Sequence, residues 1–261
     1  MKRILIFAVV AMLSLSALQS VRAWNNVGPM SIAVIAERNM TPKALKKSRG
    51  YLKHTLAYHA SWMDYWRNCK GFEETSHWHG FPVDENNEQI AGETRNAALQ
   101  IKRICKQMKK YSRLKDSIVC DNLKYLAHMV GDMHCPSHVK YANEPNLKQR
   151  SLLNNGKKLG YHSFWDSAIG YYNKGLTADA VAAKHDTLTP EEIAAICAGT
   201  PDDWAKQSAV EMREIYELLP MGTELKNVSE ETHARLREIT TRQMLRGGYR
   251  LAHVMNTIFS K

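Results

Sequence analysis

No apolar run in the chain reaches the roughly 18 residues that a membrane-spanning helix needs, which excludes a polytopic membrane protein. Five cysteines are too few for a disulfide scaffold. With only 14 Gly and 8 Pro in 261 residues, and no repeat or low-complexity tract, a collagen-like or disordered chain is also excluded. Acidic residues are in deficit: 26 Asp and Glu face 36 Lys and Arg, a formal charge of +10 that suits a phosphate-bearing partner or an acidic surface without naming either. What is present is a globular composition, 44% apolar and 24% charged, sufficient to bury a core.

Lys2 and Arg3 precede an unbroken apolar run from Ile4 to Leu13, and Val21-Arg22-Ala23 has the small and medium residues of a signal-peptidase site. Residues 1–23 are therefore predicted to be a secretory signal peptide, cleaved to leave Trp24 as the new N-terminus of a secreted or periplasmic protein. The cleavage takes Lys2, Arg3 and Arg22 and no acid, so the mature chain keeps a charge of +7. Export permits disulfide bonds, yet Cys69, Cys105, Cys120, Cys135 and Cys197 are odd in number, so at least one thiol stays unpaired or pairs between chains. Asn39-Met40-Thr41 and Asn227-Val228-Ser229 match the N-glycosylation pattern and read best as chance triplets.

Apolar residues recur at helical spacing, as in Ile32, Ile35 and Ala36 and in Trp204, Met212, Ile215, Tyr216 and Leu219. Helices are predicted near 43–59, 93–112, 118–134, 163–174 and 190–198, with a long one from Glu230 to Phe259 that Gly247-Gly248 should bend or break. The polar stretch 141–160 reads as a loop or short hairpin. The expected fold is all-α, a multi-helix bundle. Residues 24–261 are taken as one domain, because the candidate site draws on residues from Trp24 to Asp166 and a boundary between them would cut it apart.

His128 and Asp132 are four apart, so on a helix both lie on one face, and His162 and Asp166 repeat the spacing. At this composition fewer than one such pair is expected by chance. His138 follows Cys135-Pro136, where the proline disturbs the helix and turns the chain back. Imidazole and carboxylate in this mixture suit zinc. Asp64 and Arg67 in Ala60 to Arg67, and His77 and His79 in Ser76-His77-Trp78-His79, supply further donors. Taken singly, each of these has a bland explanation as a cap, a hydrogen-bonded histidine or a solvated cation.

The ordered set resembles the secreted, zinc-dependent, single-strand-specific nucleases of the nuclease P-one and nuclease S-one family, whose fold is shared with bacterial zinc-dependent phospholipase C. The landmarks are Trp24, the Ala60 to Arg67 segment, His79, the stretch Gly131-Asp132-Met133-His134-Cys135-Pro136-Ser137-His138, the pair His162 and Asp166, and Gly248 to Ala252. The resemblance implies three zinc ions. One would be held by Asp64, His79, His128 and Asp132, a second by His138, His162 and Asp166, and a third by the amine and carbonyl of Trp24 with Asp132 bridging. The family's further ligand to the third ion is a histidine where this chain has Pro29, so two tight ions and a weakened third are expected. Gly80 stands where such nucleases often carry an aromatic after the His79 ligand, leaving Phe81 and Trp78 as the substrate-stacking candidates.

A metal cluster suits phosphodiester hydrolysis by a metal-activated hydroxide. Arg67 and Asp64 are the catalytic candidates, with Arg67 either stabilising the transition state or pairing with a ligand carboxylate. Three functions stay open: an endonuclease on single-stranded DNA or RNA with a 3′-nucleotidase share, a phospholipase C acting on lipid headgroups, and a metal-bound exported protein without activity. The positive charge and Asp166, where the phospholipases tend to carry glutamate, favour the first; Gly80 weighs against it.

Overall fold

The computed structural model describes residues 27–142 and 150–260. The predicted leader and Trp24 lie outside the described residues. The described chain opens with α1 (Val27–Arg38), α2 (Pro42–Leu52), α3 (Leu56–His59) and α4 (Trp62–Trp66), then a 3-10 segment, Glu73–His79, and strand β1 (Phe81–Val83). Helices α5 (Ala97–Met108) and α6 (Asp116–Met133) follow, then the 3-10 turn Pro136–His138, strand β2 (Val139–Tyr141) and a hairpin of β3 (Ser151–Asn154) and β4 (Lys157–Gly160). Helices α7 (Tyr161–Asp166), α8 (Ala168–Tyr172), α9 (Ala178–His185), α10 (Pro190–Cys197), α11 (Pro201–Leu218) and α12 (Glu230–Ile258) complete the described chain. The architecture is the expected all-α bundle, with two two-stranded sheets as its only strands among the described residues.

Local chemistry accounts for most boundaries. Thr189 and Thr200 open α10 and α11 with reciprocal capping boxes to Glu192 and Asp203, each with proline at the first helical position. The predicted 43–59 stretch is two helices: Lys53 ends α2 in the left-handed conformation (φ 62°), and the Thr55 side chain accepts from the Tyr58 amide to start α3. The 163–174 stretch likewise divides at Ser167 into α7 and α8. Helix α9 was not expected from periodicity, because its Ala-rich turns carry little apolar pattern; Thr177 caps it. Asn155 and Gly156 both have positive φ, 52° and 74°, the backbone that closes a two-residue hairpin.

One expectation is corrected outright. Gly247 and Gly248 do not interrupt α12, which runs unbroken for 29 residues. They let α1 press against it: a Cβ on Gly248 would stand 2.4 Å from Ile35 Cγ2, and one on Gly247 would stand 3.2 Å from Ile32 Cγ2. The cysteines also differ from what export would allow, since all five are free. Three of the thiols have hydrogen-bond partners instead, Cys69 to Tyr65 O, Cys197 to Tyr249 O and Cys135 to Asp166. Asn39 donates from its amide to Ile35 O and Asp186, which occupies the group a glycan would need.

Helix α6 is the central strut and packs against α5, α12, α2, α1, α3 and α4. Every residue from Leu126 to Met133 is buried, so two polar side chains, His128 and Asp132, sit inside the bundle. Burial of that kind is tolerable only where partners replace water. No helix among the described residues is long and apolar enough to cross a membrane.

Candidate metal centre

The site draws on five elements of the chain. On α6, the four-residue spacing puts His128 Nε2 3.1 Å from Asp132 Oδ2. The end of the 3-10 segment brings His79 Nδ1 2.9 Å from the same oxygen, and α4 places Asp64 Oδ1 3.8 Å from His79 Nδ1. The donor atoms of Asp64, His79 and His128 all lie within 4.8 Å of one another. Beside this group, His138 Nε2 is 3.3 Å and His162 Nε2 3.0 Å from the two oxygens of Asp166, and the two imidazole rings stack at 4.7 Å. Asp132 Oδ2 is also 3.5 Å from His138 Nδ1, so one buried carboxylate stands between the groups.

A parallel strand pair explains how His79 meets His138. Strands β1 and β2 pair with Phe81 opposite Val139, which sets the residues just before each strand side by side, and the His138 ring donates from Nδ1 to the His79 carbonyl at 2.5 Å. Gly80 is the close point: a Cβ there would meet the His138 carbonyl oxygen at 2.7 Å and Lys140 Cε at 3.0 Å. An aromatic at position 80 would therefore push β2, and His138 with it, out of place.

Ring orientation is fixed by second contacts. The His128 Nδ1–H donates to the Ala60 carbonyl at 2.7 Å and turns the Nε2 lone pair toward Asp132. With Nδ1–H similarly bound to His79 O, His138 presents its Nε2 lone pair to Asp166. Neither tautomer of His79 satisfies both ring nitrogens. A proton on Nδ1 leaves its buried Nε2 an acceptor with no donor. A proton on Nε2 leaves a donor with no acceptor and turns the Nδ1 lone pair on the Asp132 carboxylate and on His128 Nε2, 3.0 Å away. A divalent cation among Asp64, His79, His128 and Asp132 relieves the clash of lone pairs, and the oxygen and nitrogen donors are those zinc accepts. The residues present fit a metal.

Electrostatics agree. Burial opposes charge on Asp132, yet His128 and His138 hold its carboxyl well below the usual carboxylate range. Burial likewise works against charge on His128 and His138, and Asp132 overrides it by raising both above the ordinary imidazole value. Asp166 is held low, against burial, by its hydrogen bonds to His138 and His162. Without a metal, protons supply the positive charge that a cation would bring.

The remaining expectations divide. Arg67 Nη1 is 3.6 Å from Asp64 Oδ1, the ion pair with a candidate ligand, and its guanidinium is partly exposed at the rim. Pro29 is buried in the first turn of α1, where its missing amide hydrogen costs nothing, and it offers no donor. Trp24 lies outside the described residues. Phe81 is corrected: it is fully buried in β1 and has no face for a base. Trp78 packs edge-on to Tyr125 and lines a groove with Gln100, Arg103 and Gln107, separate from the acid–histidine cluster. The exposed aromatics beside Asp64 are Tyr65 and Trp66, both in a segment whose tryptophans and tyrosine gave no hint of which face outward. His134 is no ligand: its Nδ1–H donates to Val130 O, its Nε2 accepts from buried Arg250, and burial with the Arg250 charge holds it neutral.

Fold and site together define an all-α protein with a two-part candidate metal centre built around its central helix. A profile of the S1/P1 nuclease family matches residues 24–260, and the chain belongs to that family. It is also similar to Endonuclease 4 of Arabidopsis thaliana, at 27% identity over 173 residues. That alignment covers 59% of this chain and 57% of the relative, a little over half the length of each.

Proposed function

We propose that the protein is an exported zinc-dependent endonuclease for single-stranded DNA and RNA, with activity on 3′-nucleotides. The observation that carries this is Asp132, a buried carboxylate facing three imidazoles from two adjoining donor groups. Asp64, His79, His128 and Asp132 would hold one zinc ion, and His138, His162 and Asp166 a second. Bound zinc supplies a water of lowered pKa and neutralises charge on the phosphate. The carbonyls of Ala60 and His79 keep the His128 and His138 lone pairs aimed inward, so the donors need no rearrangement when substrate arrives. Arg67, steadied by Asp64 and open to solvent, is placed to pair with a phosphate oxygen as charge develops there. With Phe81 buried, the stacking surface passes to Tyr65 and Trp66, the latter backed by Phe72 at 5.5 Å.

Export is proposed with cleavage after Ala23, and the family match begins at Trp24, the residue that this would expose. A third zinc would then depend on the Trp24 amine and carbonyl and on Asp132, with nothing from Pro29, and should be lost on dialysis. The test is hydrolysis by the processed, zinc-loaded protein of single-stranded DNA, RNA, a 3′-nucleotide and phosphatidylcholine, each with and without chelator. Chelator-sensitive cleavage of the first three supports the proposal. Release of phosphocholine with nucleic acid left intact would assign the site to lipid headgroups instead.

A further inference from the structure

A sulfur donor lies against the second group. Cys135 precedes Pro136 and takes the extended backbone that a following proline imposes, with φ −92° and ψ 105°. Its thiol is buried, 3.4 Å from Asp166 Oδ1 and 3.1 Å from Ser137 Oγ. The donor atoms of Cys135, His138 and Asp166 all lie within 4.8 Å of one another. A point among them is then within roughly 2.8 Å of all three, a short closure from zinc–ligand lengths of about 2.0–2.3 Å. Among the described residues no other cysteine joins such a cluster.

We propose that Cys135 is a ligand of the second metal ion, completing a sulfur, two-imidazole and carboxylate set with His138, His162 and Asp166. The inference rests on that group holding a metal at all. On binding, the thiol proton passes to solvent and the thiolate sulfur takes the place in the shell that water would otherwise fill. Four protein donors make a closed tetrahedral shell, the arrangement of a tightly held ion. A thiolate also selects for zinc over hard cations such as magnesium, which oxygen and imidazole donors alone do less sharply.

Cobalt(II) in place of zinc in the full processed chain provides the test, because it reports its ligands by colour. The parent protein should show d–d bands together with a near-ultraviolet sulfur-to-cobalt charge-transfer band. Cys135→Ser should lose the charge-transfer band, keep d–d bands and release zinc at least about tenfold more readily in dialysis; Cys135→Ala serves the same purpose if the serine variant does not fold. Retained d–d bands without a charge-transfer band in the parent would overturn the sulfur ligand alone, and so would a band that persists in the variants. Absence of any cobalt spectrum would overturn the metal site on which it rests.

Discussion

Asp132→Asn is the sharpest perturbation of the site, since it keeps the shape of the side chain while removing its charge and turning one acceptor oxygen into a donor. Asp132 is 3% exposed and lies 2.9, 3.1 and 3.5 Å from His79, His128 and His138. Breaking a buried ion pair from one side costs about 3–5 kcal/mol. For a domain of this size each kcal/mol moves the melting temperature by about 2–4 °C, so a fall of roughly 6–20 °C is expected. As a proposed ligand of the first ion and of the weakly held third, Asp132 should on replacement cost the protein both, the first lost on dialysis and the third no longer taken up when zinc is added back. His162→Ala is the comparison: its side chain is 60% exposed and touches only the Asp166 group, so it should lose at most one equivalent with a smaller shift in melting. The assays are zinc content by mass spectrometry after dialysis and again after zinc is added back, with a thermal melt of the same samples. An Asp132→Asn protein with parental zinc content and a parental melting temperature would refute the bridging role.

The metal-free and metal-loaded proteins should respond to pH with opposite sign. In chelator, His128 and His138 are raised above 6.5, so their contribution is full below that value and is lost as pH rises through their folded values. Asp132, lowered from 3.8, contributes above that value and loses it as pH falls through its folded value. The chelated protein should thus be most stable between those limits and lose stability as pH rises above 6.5, whereas zinc competes with the histidine protons and the loaded protein should gain stability over the same rise; parallel melts in both states from 6.5 upward check it, and matching slopes would refute it. Arg67→Ala should lower kcat by about ten- to a hundredfold with zinc content unchanged, less than a fully dry donor would give because the guanidinium is partly exposed; concurrent loss of zinc would make it a support for Asp64 only. Gly248→Ala gains about 1 kcal/mol of helix propensity, but its Cβ would fall 2.4 Å from Ile35 Cγ2 and overpacking costs about 1–3 kcal/mol. A lower melting temperature is expected, with zinc content kept; a higher one would mean that α1 gives way freely.

What the sequence alone determined about this protein is what depends on local periodicity and on residue type. The pairs His128 with Asp132 and His162 with Asp166 were legible because a four-residue spacing fixes a shared helix face wherever the helix sits. The 190–198 helix was legible too, and matches α10, because its threonine cap and proline act within one turn. The tertiary structure decided everything that depends on which elements meet. It is the β1–β2 pairing that sets His79 beside His138, hides Phe81 and demands a glycine at position 80, and no spacing along the chain encodes that pairing. Gly247-Gly248, a breaker by composition, becomes a helix interior because α1 needs the space. Cys135, one of five similar thiols in the sequence, differs from the others only because the turn after α6 carries it to Asp166, which arrives from a helix 31 residues further on.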